Sequence, residues 1–79
     1  MKMEISIKYF GLLVELTGCS EEKINIENGA ISDFLNIIYK KYPKLQDVDF
    51  KVAQNKIIVT EDIALDGEEI ALLPPYSGG

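Results

Sequence analysis

Seventy-nine residues, 47% apolar and 27% charged, suit one small globular domain with a single core and leave little room for a deep substrate cleft as well. Eight lysines and no arginine against thirteen acids give a net charge of −5, which argues against nucleic acid and anionic membranes as partners. Histidine is absent, removing the usual general base and the commonest metal ligand.

The chain opens on alternation. Met3, Ile5, Ile7 and Tyr9 take one face and Lys2, Glu4, Ser6 and Lys8 the other, a half-buried strand. "GLLVELTG" sets Leu12, Leu13 and Leu16 at helical spacing between two glycines, predicting one or two turns of helix closed by Gly18. In "EEKINIENG", Ile24 and Ile26 alternate with Lys23, Asn25 and Glu27, a second strand ended by the turn pair Asn28-Gly29.

Ser32 is the expected N-cap of the main helix, with Asp33 in its first turn. Ile31, Phe34, Leu35, Ile38, Tyr39 and Tyr42 form its apolar stripe, and Pro43 ends it at Tyr42. "KLQDVD" reads as loop. "FKVAQ" and "KIIV" read as short strands about an Asn55-Lys56 turn, and "TEDIALDG" as irregular chain closing on an Asp66-Gly67 turn. "EEIALL" is the last strand, stopped by Pro74-Pro75.

One helix laid across a mixed sheet packs this order economically, with the first and last strands as central neighbours. The fold class is α+β: a ubiquitin-type roll, the β-grasp. Residues 1–73 form the domain and residues 74–79 an extended, flexible C-terminal tail. No apolar run at the N-terminus suggests a signal peptide or a membrane span, and a lone cysteine suits the cytoplasm.

Few side chains offer chemistry. Cys19, flanked by Gly18 and Ser20, is read as a small loop residue, not a reactive thiol. Glu21-Glu22, Glu61-Asp62 and Glu68-Glu69 are read as solvated surface, because neighbours on a strand face opposite ways and do not jointly hold an ion. No metal site is expected.

The tail is different. Pro74 and Pro75 favour a stiff exit, while Gly78 and Gly79 have no Cβ and fit a passage too narrow for other residues. The functional group is then the α-carboxylate of Gly79, with a pKa of about 3.5 and therefore ionised at neutral pH. An ionised carboxylate resists nucleophiles and needs activation, as an acyl-adenylate for example, by a partner that binds ATP.

These features make the chain resemble the small, sulfur-carrying subunit of molybdopterin synthase, a ubiquitin-like sulfur carrier. The resemblance is carried by "LDGEEIALLPPYSGG" (Leu65 to Gly79), by "YFGLLVELTG" with Phe10, Glu15, Leu16 and Gly18, and by Asn55. It implies that an adenylyltransferase similar to ubiquitin activators charges Gly79 with ATP, and that a sulfur donor converts it to a thiocarboxylate. The tail then enters the large synthase subunit, where sulfur passes to cyclic pyranopterin monophosphate. Gly79 would carry the sulfur and Gly78 and Ser77 would thread the tunnel. Phe10, Leu73, Pro74, Pro75 and Tyr76 would dock the partner. This chain would bind no cofactor and catalyse nothing alone.

The family usually has an aromatic residue where Leu73 stands, a small aliphatic one at Tyr76 and often arginine at Val14. A thiamin-pathway sulfur carrier, a ubiquitin-like modifier joined through Gly79 and a plain interaction module are the alternatives. Pro74-Pro75 favours the molybdenum pathway over the thiamin one.

Overall fold

The computed structural model describes residues 2–27, 29–66 and 69–75. The strands are β1 (Lys2–Tyr9), β2 (Glu21–Glu27), β3 (Lys51–Gln54), β4 (Ile57–Val59) and β5 (Ile70–Leu73). The helices are α1 (Leu12–Thr17) and α2 (Ile31–Lys41). The sheet order is β2-β1-β5-β3-β4, with β1 and β5 parallel and the other pairs antiparallel. The expected central pairing of first and last strands holds, and the topology is that of a β-grasp.

Register follows from the alternation. Ile5 faces Ile24 and Met3 faces Ile26 across β1 and β2, while Ile7 faces Ile70 and Tyr9 faces Leu72 across β1 and β5. These residues share the inner face, and α2 covers it with Ile31, Phe34, Leu35 and Ile38, all buried. Burial of each such side chain is worth about 1.5–3 kcal/mol, so this layer dominates stability.

The start of α2 differs from the sequence expectation. The N-cap of α2 is Ala30, and Ser32 lies inside the first turn. The Asp33 carboxylate accepts the Ala30 N–H at 2.8 Å, the acidic half of a capping box. Neighbouring chain satisfies the next amides. The Ile31 N–H donates to Ile63 O at 2.8 Å and the Ser32 N–H to Glu61 O at 3.0 Å. With those bonds in place a hydroxyl cap is unnecessary. The segment read as irregular, 60–66, is thereby ordered against the helix, and Gln54 fastens it from below. Its side-chain amide donates to Ala64 O at 3.0 Å and accepts the Asp66 N–H at 3.2 Å.

In α1 only Leu13 is buried, and Leu12 is 55% exposed. Gly18 closes that helix with φ +80°, donating to Val14 O at 2.8 Å. The stretch expected as loop after Pro43 contains a 3-10 turn, Pro43–Asp47, which places Leu45 fully inside the core. Asn55 and Lys56 have φ of 52° and 69°, the left-handed pair of a tight hairpin turn. The Asn28-Gly29 and Asp66-Gly67 turn pairs lie partly outside the described residues.

Candidate functional site: the C-terminal exit

The last strand leaves the sheet beside the end of the first. Tyr9 faces Leu72 in the parallel ladder, and the Phe10 N–H donates to Leu72 O at 3.2 Å, one residue beyond the strand. Lys51 faces Leu73 on the other side. The chain therefore departs from between two strands, held on both flanks.

Gly11 sets how closely the departing chain is gripped. Its φ is +61°, and a Cβ there would lie 2.7 Å from Pro74 Cγ, well inside contact distance. A side chain would meet a ring that cannot swing aside, so the backbone of Gly11 packs directly under Pro74. The signal was in the sequence as the glycine of "YFGLL", but its partner sits 63 positions later and no local pattern pairs them.

Apolar surface surrounds this exit. Phe10 is 44% exposed; Leu73, Pro74 and Pro75 are partly buried. Neither Phe10 nor Leu73 belongs to the buried core cluster. The predicted docking residues Phe10, Leu73, Pro74 and Pro75 come together at one end of the sheet, and Leu12 adds an exposed side chain to the same β1–α1 junction. The other residues expected at the site, Tyr76, Ser77, Gly78 and Gly79, lie outside the described residues.

Behind the exit, a polar cluster ties three elements together, and here the sequence reading of solvated surface is corrected for Glu22, while Glu21 is exposed as expected. Glu22 faces Ile7 in the ladder and so shares the inner face with Ile24 and Ile26. The Tyr9 hydroxyl donates to Glu22 Oε2 at 2.6 Å and the Tyr42 hydroxyl to the same oxygen at 2.7 Å. Lys41 Nζ donates to Oε1 at 2.5 Å. Partial burial pushes the Glu22 carboxyl up, but the hydrogen bonds from Lys41, Tyr9 and Tyr42 outweigh it and hold the group below the usual carboxylate range. Burial raises both phenols, and donation to Glu22 raises them further.

Cys19 lies partly buried against this cluster, its Sγ 3.8 Å from Glu22 Oε2 and 3.9 Å from the Tyr42 hydroxyl. The alternation Glu22, Ile24, Ile26 was the readable sign that Glu22 faces inward. What no local pattern shows is the pair of tyrosines that satisfies it, 13 and 20 positions away.

The ThiS family profile matches residues 7–79, which takes in the whole exit described above. The chain belongs to the ThiS family. Two relatives are each named molybdopterin synthase sulfur carrier subunit. That of Chlamydomonas reinhardtii is 34% identical over 98% of this chain and 100% of its own. That of Mycobacterium tuberculosis is 31% identical over 98% and 99%.

Among solved structures, a Pyrococcus furiosus protein described as molybdopterin converting factor, subunit 1, superposes with a TM-score of 0.84. It shares 28% identity and is matched over 94% of this chain and 99% of its own. A chain from the complex of subunits 1 and 2 of the Helicobacter pylori molybdopterin-converting factor gives a TM-score of 0.65. Its identity is 26%, with coverage of 98% and 100%. Small archaeal modifier protein 1 of Methanosarcina acetivorans gives 0.75 at 27% identity, covering 100% and 99%. This ThiS-family chain thus shares its β-grasp with relatives named as sulfur carriers and with one named as a modifier.

Among the described residues, no helix is long and apolar enough to cross a membrane.

Proposed function

We propose that this ThiS-family chain is the sulfur-carrier subunit of a molybdopterin synthase, working in the cytoplasm. The observation that carries the reading is its near full-length match to two relatives named for that role. The cluster of Phe10, Leu73 and Pro74 at a single exit supports it from the structural side.

The chemistry follows from a carboxylate that needs help. At neutral pH only about one Gly79 carboxyl in 3,000 is protonated, and the ionised form is a poor electrophile. An adenylyltransferase joins it to AMP from ATP, releasing pyrophosphate. A sulfur donor then displaces AMP and leaves a thiocarboxylate. The loaded tail enters the large subunit, and sulfur passes to cyclic pyranopterin monophosphate. Gly78 and Ser77 keep the thread narrow, while Phe10, Leu73, Pro74, Pro75 and Tyr76 seat the body against the partner. The chain contributes a handle and a docking face; the partners supply ATP binding and catalytic side chains.

Deleting Gly79, or adding one residue after it, should abolish sulfur transfer in a reconstituted mixture while leaving the melting temperature unchanged. Transfer by the extended chain would overturn the proposal. The likeness to a small archaeal modifier protein favours one second reading, in which the same carboxylate is joined to lysines of other proteins. Covalent conjugates dependent on Gly79 would identify it.

A further inference from the structure

A groove of about 770 Å3 runs between β4 and the Ile31, Leu35 and Tyr39 face of α2, and its lining includes neither Gly11 nor Pro74. Its floor is apolar, with Ile31, Leu35 and Val52 buried. One wall is the Tyr39–Phe50 pair, ring centroids 6.2 Å apart. Its rim is acidic: Asp49, Glu61 and Asp62 are exposed, against the single lining cation Lys51. Burial raises the Tyr39 phenol and the nearby Glu61 charge raises it further, as a negative rim requires.

The strand beside this groove has an open edge. β4 ends the sheet, and among the described residues no strand lies on its outer side. Edge strands are commonly blunted by charge, proline or a bulge. Here the edge is Ile57-Ile58-Val59, β-branched and uncharged, with Ile57 66% and Ile58 55% exposed. A second copy would bring an identical acidic rim to the contact, on a chain of net charge −5, so self-pairing works against like charges.

We propose that β4 and its groove accept an extended, lysine- or arginine-bearing segment of a partner protein, added to the sheet beside Ile57–Val59. Its alternate aliphatic side chains fill the groove over Leu35 and Val52, and its basic side chains meet Asp49, Glu61 and Asp62. Main-chain bonds supply affinity; the charges select the partner and speed its approach. The proposal is independent of the carrier reading, although the groove's lining includes Lys51, which also faces Leu73 at the exit.

The test is titration of the full chain with a synthetic Lys-Val-Lys-Val-Lys-Val peptide, followed by amide NMR. Saturable shifts should map to Ile57–Thr60, Tyr39 and Phe50. The variant Glu61→Lys/Asp62→Lys should weaken binding about fivefold to tenfold, as should high salt. Three results would each overturn the proposal: no saturable shift, equal binding of a Glu-Val-Glu-Val-Glu-Val peptide, or β4 shifts that depend only on the concentration of the chain itself. The last would make a second copy the occupant.

Discussion

The Tyr9 hydroxyl donates to the Glu22 carboxylate at 2.6 Å, joining the end of β1 to the start of β2 directly behind the C-terminal exit. The same carboxylate collects Tyr42 and Lys41 from the end of α2, so one acid holds three elements. Glu22→Gln removes the charge that strengthens all three bonds. It is expected to destabilise the fold by about 2 kcal/mol, read as a fall in Tm of about 10 °C. Tyr9→Phe, which removes one donor, is expected to cost about 1 kcal/mol. Thermal melts of the two variants check both values.

The same cluster fixes the pH dependence. Glu22 is held below the ordinary carboxylate value when folded, so its contribution is present above the unfolded pKa and is lost as pH falls through the folded one. Tyr9 and Tyr42 are raised, so their contribution is complete below the ordinary phenol value of about 10 and declines as pH rises beyond it. Stability should be flat between about pH 5 and pH 10 and fall on both sides. Melts across that range should show the acid limb shallower in Glu22→Gln than in the natural chain.

Gly11 is expected to tolerate bulk poorly. Gly11→Val places a β-branched residue at φ +61° and drives its Cβ into Pro74. The combined strain should cost about 2–3 kcal/mol. Adding Pro74→Ala removes the ring and should restore about half of the loss, leaving the backbone strain. Denaturant unfolding of the single and double variants measures that coupling; simple additivity would show that the two residues do not press on each other.

The hairpin turn offers a stabilising change. Lys56 holds φ 69° with a full side chain. Lys56→Gly converts the turn to Asn-Gly, the pair that best suits two left-handed residues. A gain of about 0.5–1 kcal/mol is expected, measured as a higher denaturation midpoint at unchanged slope.

Much of this fold was legible because its signals are local. The alternation of Ile5, Ile7 and Tyr9 and the stripe of Phe34, Leu35 and Ile38 predicted β1 and α2 and which faces they bury. What escaped depends on distant partners. Ser32 looked like a cap because its type suits one, but Glu61 and Ile63 carbonyls already serve the first turn. Leu45 sat in a polar stretch and gave no period, yet a single 3-10 turn delivers it to the core. At the exit, Phe10, Leu73 and Pro74 were nameable from their types and from family resemblance. The Gly11 grip on Pro74 and the tyrosines on Glu22 arise only once β1 and β5 lie side by side and α2 has packed.

The most direct test of the carrier role is the intact mass of the protein isolated from its own cells. A population with one oxygen replaced by sulfur, localised to Gly79 and lost on its deletion, is the predicted result. An unmodified mass throughout, from cells actively making molybdenum cofactor, would contradict it.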